Sequence, residues 1–310
     1  TKQDVVDWAN KYLGPESYAI IYKREGKDPN EQKIAAPKIT PIVTNRDSQS
    51  EFLSEIQTSQ VQPIEPVFVD YKKDMSQFEA QPGIDVLYKK NETNDIFTLI
   101  YVFNTGTEND PALNLAFNYL SYLGTDKMTA EEIASEMYDI ACSFYMNAGA
   151  NQSSIQITGL SENMGKAMEI VEGLIAGAKP DEAILENCKA DMLKSRADAK
   201  LNQSRCFGAL QRYLFYGGDF IRRTTLTDPA LQALTSEQLL AKIGGLMGKQ
   251  HEVLYYGPQK ETEIKSALAE HHKVAADLQP LEKKFSALLP TDANKVVLAQ
   301  YDLVRVGGQQ

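Results

Sequence analysis

The sequence predicts an α+β domain in which a mostly antiparallel sheet is covered by a layer of helices. Three observations predict it. Ile96 to Phe103 is a β-branched and aromatic run of strand length. Leu113 to Leu123 is too apolar all round for a surface helix and must be buried on several sides. The remaining segments run as short strands, then long helices, then a strand again, the order of an antiparallel sheet under helices.

Taken in order, Lys2 to Leu13 reads as a capped amphipathic helix and Tyr18 to Lys23 (YAIIYK) as a strand. Glu25 to Asn45 is polar and punctuated by Pro29, Pro37 and Pro41, so it reads as an extended linker. A short helix is expected from Ser50 to Gln57, then strands at Val67 to Val69, Ser76 to Glu79 and Ile84 to Lys89, with turns at Lys72-Lys73-Asp74 and Gln81-Pro82-Gly83. After the strand at Ile96, Asn104-Thr105-Gly106-Thr107 closes the run, and Asp110-Pro111 supplies an N-cap with proline at the first helical position. Gly124 ends that helix. Thr129 with Glu132 forms a capping box for the next, and Ser143 to Ala148 and Ser153 to Thr158 alternate as two strands joined around Gly149. Helices follow at Asn163 to Gly177, Asp181 to Leu201 and Phe207 to Tyr216, the last broken by Gly217-Gly218. Thr235 and Gln238 cap one more before the strand Glu252 to Tyr256, and a final helix runs from Lys260 to His271-His272.

Strand, glycine turn, buried helix, Leu-Gly-Thr and a second capped helix resembles the opening of the core domain of the pitrilysin/insulinase family of zinc metallopeptidases. In active members the buried helix carries H-x-x-E-H shortly before the Gly-Thr pair, and i, i+3, i+4 spacing puts two zinc ligands and a general base on one face. Counting back from Gly124-Thr125, those positions are Leu115, Asn118 and Tyr119. The remaining ligand of the family is a Glu on a later helix, and the surroundings Asp191-Met192-Leu193-Lys194 place Ser195 there. These four degenerate positions imply no catalytic residue, no metal and no cofactor in this chain, with zinc expected in another half of a longer protein. The resemblance further implies that Leu115, Asn118 and Tyr119 share a face opposite Ser195, with apolar packing filling the lost site.

The same resemblance implies a domain plan. Residues 1–45 resemble the tail of a preceding domain with its linker, 46–62 a connector helix between halves, 63–279 an inactive core domain, and 280–310 a linker with the first strand (Val296 to Val304) of a following domain. The implied partners are a catalytic half of the same protein or a paired subunit, and a peptide substrate. In a bacterium an extracytoplasmic compartment is the expectation.

Composition limits the alternatives. With 310 residues, 43% of them hydrophobic and 24% charged, the chain can bury a sizeable core. Its longest apolar runs fall short of the roughly 20 residues that span a bilayer. The formal net charge of −10 disfavours nucleic acid and anionic membranes. Cys142, Cys188 and Cys206 are odd in number and widely spaced, which argues against a disulfide framework. His271 and His272 read as solvated residues at a helix end, Met128, Met137, Met146, Met164 and Met168 as core fillers, and Asn118 as a buried amide needing a core hydrogen bond.

Two function classes follow. One is the inert half of a zinc endopeptidase, walling a peptide-enclosing chamber and offering a strand edge to peptide. The other is a non-catalytic scaffold or partner subunit of the same fold. An unrelated α+β enzyme built on carboxylates has no motif behind it. No activity is expected from this fragment alone.

Overall fold

The computed structural model describes residues 1–14, 18–23, 26, 35–42, 44–45 and 48–280. The strand expected at Val296 to Val304 and part of the proline-punctuated linker lie outside these residues. The chain divides into two compact units, Thr1–Pro66 and a second beginning at Val67.

In the first unit, helix α1 (Lys2–Tyr12) starts on a capping box made by Thr1 and Asp4, and helix α2 (Glu51–Thr58) on the Ser50 side chain. Neither helix buries a residue. No strand forms at Tyr18 to Lys23, which is exposed. Its apolar composition met the propensity for a strand, but a strand without a hydrogen-bonded neighbour is not stable.

The second unit is built on a six-stranded sheet in the order β1-β2-β6-β3-β5-β4, where β1 is Ser76–Gln81, β2 Ile84–Lys90, β3 Ile96–Phe103, β4 Cys142–Ala148, β5 Ser153–Leu160 and β6 His251–Gly257. Every pairing is antiparallel except β2 with β6. No strand forms at Val67 to Val69, which is exposed. Alternation along β3 is clean: Phe97, Leu99, Tyr101 and Phe103 are buried while the residues between them are only partly covered. Ile84 and Val86, Ile155 and Ile157, and Val253 and Tyr255 extend that buried face across β2, β5 and β6.

Helices cover it. They are α3 (Leu113–Leu120), α4 (Ala130–Asp139), α5 (Met164–Gly177), α6 (Glu182–Lys200), α7 (Gln203–Thr224), α8 (Asp228–Ala233), α9 (Ser236–Met247) and α10 (Glu261–His271). One hydrophobic cluster joins the sheet face to α3, α5, α9 and α10. The capping boxes of Thr129 with Glu132 and Thr235 with Gln238 both form. Gly217 takes φ 77° inside α7 and kinks it there, where the sequence predicts the break.

Two close approaches explain local sequence. A Cβ on Gly106 would sit 2.3 Å from the Ala150 carbonyl oxygen, so the loop after β3 can close on the β4–β5 turn only with glycine. One of the two histidines at the end of α10 differs from expectation. His272 is 3% exposed and hydrogen-bonds His251 and Glu172, so it is a core residue rather than a solvated one.

Candidate functional site

Helix α3 separates its residues sharply by face. Leu113, Leu115, Ala116, Phe117, Tyr119 and Leu120 are buried, and its two amides, Asn114 and Asn118, are exposed. They are four residues apart and therefore stacked on one face. Asp110 positions the entry to this helix: its carboxylate accepts from the Ala112 N–H (3.0 Å) and pairs with Lys242 of α9.

Helix α6 presents a matching face. Asp181 caps it, accepting from the Ile184 N–H (3.0 Å), while Leu185, Cys188 and Lys189 turn inward. Asn187, Asp191 and Ser195, spaced by four, turn outward. Between the two faces lies an open cleft of about 540 Å³ with Asn114, Asn118, Asn187, Asp191 and Ser195 as polar lining and Ile184, Cys188 and Met192 as its apolar part.

The structure thus brings Asn118 and Ser195 to one cleft and leaves Leu115 and Tyr119 out of it. Leu115 is 1% exposed and packs in the core. Tyr119 is fully buried: its hydroxyl accepts from the Asp181 N–H (2.7 Å) and donates to Ser236 Oγ (2.8 Å), tying α3 to the starts of α6 and α9. Asn118 is exposed, which corrects the expectation of a buried amide held by a core hydrogen bond. The space opposite Ser195 is an open cleft and not a packed apolar filling. Asn114, Asn187 and Asp191 were not anticipated. Their signal was available as polar residues recurring every four positions on helices that are otherwise apolar on the buried side.

The donor set decides what the cleft can do. Carboxamides and a hydroxyl are weak ligands for zinc, which takes thiolate, imidazole and carboxylate. Among the described residues, no group of three His, Cys, Asp or Glu side chains is placed to hold a metal ion. Burial pushes the Cys188 thiol up, and the Asp191 carboxylate adds to that, so it is no thiolate nucleophile. The cleft offers hydrogen-bond donors, acceptors and one carboxylate to a ligand.

A second groove, of about 240 Å³, continues from it. Asn114 and Asn118 line both, and the far wall is Phe144, Tyr145, Met146, Asn147 and Ala148 of β4. Strand β4 is the edge of the sheet, paired on one side by β5. Its outer backbone edge therefore borders the amide face of α3.

No family model matches the sequence, and no curated protein matches it. Solved structures do. The chain is similar to the inactive domain of a peptidase M16 from Pseudomonas fluorescens, with a TM-score of 0.61 and 16% identity over 69% of this chain and 54% of that one. It is similar to the periplasmic protease PqqL from Escherichia coli, with a TM-score of 0.57 and 13% identity over 83% of this chain and 28% of that one. It is also similar to a mutant of the ferredoxin protease FusC in complex with Arabidopsis ferredoxin, with a TM-score of 0.52 and 14% identity over 93% of this chain and 30% of that one. The chain thus spans about half, or less, of the length of these proteins. Its fold is that of the non-catalytic domains of M16 peptidases, the pitrilysin-like proteases. Among the described residues no helix is long and apolar enough to cross a membrane.

Proposed function

We propose that this chain belongs to the inert half of a pitrilysin/insulinase-like zinc endopeptidase and forms one wall of a peptide-enclosing chamber. One observation carries the proposal: β4, an edge strand of the sheet among the described residues, borders a face of neutral amides on α3 and an open cleft that lacks a zinc donor set. A peptide laid along β4 gains main-chain hydrogen bonds from the strand, and the amides of Asn114 and Asn118 satisfy its remaining polar groups. Leu115, Asn118, Tyr119 and Ser195 stand at the degenerate zinc positions, and the zinc of the whole protein lies in its other half. On this reading residues 1–45 end a preceding domain, 46–62 connect the halves, 63–279 are the inert core and 280–310 lead into a following domain. A periplasmic location is part of the proposal, supported by PqqL among the similar structures.

The test is amide hydrogen exchange of the chain with unstructured peptides, alone and in the Asn114→Ala/Asn118→Ala variant. Protection along β4 that weakens in the variant is expected. Protection confined to other strands would overturn the wall assignment. Stable pairing with a catalytic partner but no protection by peptide would leave the scaffold reading in its place.

A further inference from the structure

His251, His272 and Glu172 form a continuous hydrogen-bonded chain inside the second unit, joining β6, the C-terminal end of α10 and α5. His251 Nδ1 lies 2.7 Å from the Lys249 carbonyl oxygen, His251 Nε2 lies 2.9 Å from His272 Nε2, and His272 Nδ1 lies 2.5 Å from Glu172 Oε1. His251 is 2% exposed and His272 3% exposed. The ring of Tyr101 lies 4.2 Å from that of His272, and the ring of Phe103 lies 4.6 Å from that of His251.

Counting protons shows what this arrangement requires. Both ends of the chain, a carbonyl and a carboxylate, accept. Three hydrogen bonds therefore need three protons. Two neutral imidazoles carry one each, so the third is an extra proton, held either as imidazolium beside carboxylate or as carboxylic acid beside neutral imidazole. The extra proton lies on the His272–Glu172 side. Burial holds His251 down to about 4, with the adjacent His272 lowering it further against the opposing hydrogen bond to Lys249.

We infer that His251, His272 and Glu172 act as a proton-holding latch that fastens the end of α10 and the segment after it to the sheet and loosens on either side of near-neutral pH. The segment is close at hand. Gln250 N–H donates to the Gln279 carbonyl (2.8 Å), and Gln279 N–H donates to the Gly248 carbonyl (2.9 Å), flanking His251 in sequence. Removing the shared proton leaves two lone pairs facing across the His251–His272 contact. Adding a second sets two N–H groups against each other there.

The sign follows by linkage. Two unfolded histidines of ordinary pKa, about 6.5, bind two protons in mild acid and none in mild alkali, whereas the three hydrogen bonds of the latch need one. Stability from the latch therefore rises with pH below about 6.5 and falls above it. Other titratable or charged groups on the surrounding elements are Tyr101 on β3, Lys166 and Glu169 on α5, Lys249 before β6, Glu252, Tyr255 and Tyr256 on β6, Glu261, Glu263, Lys265, Glu270 and His271 on α10, and Lys273 just after it. Burial, and then Glu172, keeps the Tyr101 phenol far above its usual range, so it stays neutral. His271 faces Glu169 and Glu270, and the Lys249 ammonium reaches Thr105 Oγ1 (3.3 Å).

The experiment uses the full chain and two readouts. First, ¹⁵N-imidazole NMR near neutral pH should find His251 protonated at Nδ1 alone and a shared proton between His272 and Glu172. Second, exchange of the Gln250 and Gln279 amides, corrected for intrinsic rates, should speed up by as much as about tenfold per pH unit on each side of a minimum near pH 6.5. In His272→Gln and Glu172→Gln that minimum should vanish. A flat profile in the wild-type chain, or two neutral imidazoles beside an ionised Glu172, overturns the latch. The wild-type NMR measurement decides even if a variant fails to fold.

Discussion

Replacing Tyr119 by Phe isolates what its hydroxyl does. The ring stays, so apolar burial is unchanged, and the loss is confined to one hydroxyl. That hydroxyl accepts from Asp181 N–H and donates to Ser236 Oγ, whose residue is itself fully buried. Phe would leave a buried serine hydroxyl and a part-buried helix-start N–H without their partner. A buried unsatisfied group costs about 1–3 kcal/mol, and the two share the loss of one atom, so about 2 kcal/mol is expected for the variant. Urea unfolding followed by circular dichroism should show a lower midpoint at unchanged slope. Tyr122→Phe is the control, because Tyr122 is exposed at the cleft and should change stability by less than about 0.5 kcal/mol. If Tyr119→Phe is as neutral as Tyr122→Phe, the hydroxyl does not tie α3 to α6 and α9. The tyrosine would then be free to face the cleft as the alignment first implied.

Leu115→Ala should destabilise the domain by about 2–5 kcal/mol and Asn118→Ala by less than about 0.5 kcal/mol in the same assay, since one is core and the other cleft lining; equal effects would refute the face assignment. Gly106→Ala should destabilise by more than about 1 kcal/mol, because its Cβ would meet backbone that cannot swing aside, and a wild-type midpoint would show that the loop is not closed as described. After dialysis the chain should carry no stoichiometric zinc, whereas Asn114→His with Asn118→His and Ser195→Glu should gain it, as metal analysis would show; no uptake by the triple variant would mean that the two faces do not converge on a common ion.

Much of the fold was legible because its signals are local. The β-branched run of β3, the capping boxes at Thr129 and Thr235 and the kink at Gly217 each depend on a few neighbouring residues. Short helix α8 had equally local signals, Thr227 as its cap and Pro229 in its first turn, and went unread. The strands expected at Tyr18 to Lys23 and Val67 to Val69 failed because a strand needs a neighbour, and propensity says nothing of whether one exists. The burial of His272 was likewise illegible. It depends on Glu172, one hundred residues away in sequence, and on a sheet position at His251 that the register of β6 against β2 fixes. Of the candidate site, the juxtaposition of α3 with α6 was readable, and the face of α3 that meets α6 was not.

That face is set by composition. Successive residues of a helix are about 100° apart, so position 114 points about 100° from 115 and about 140° from 119, while 118 lies about 60° from 115 and about 100° from 119. On the proposed reading, an active helix must turn 115, 118 and 119 toward one ion. With Leu at 115 and Tyr at 119 the same orientation would expose a leucine and an aromatic ring to the cleft, at roughly 1.5–3 kcal/mol each in lost burial. Turned inward, Leu115 fills the core and Tyr119 finds Asp181 and Ser236, while Asn114 and Asn118 reach water and the cleft without needing buried partners. In this orientation Leu115 and Tyr119 lie outside the cleft that Ser195 lines, so a zinc site is more readily built on Asn114 and Asn118 with Ser195 than on positions 115 and 119.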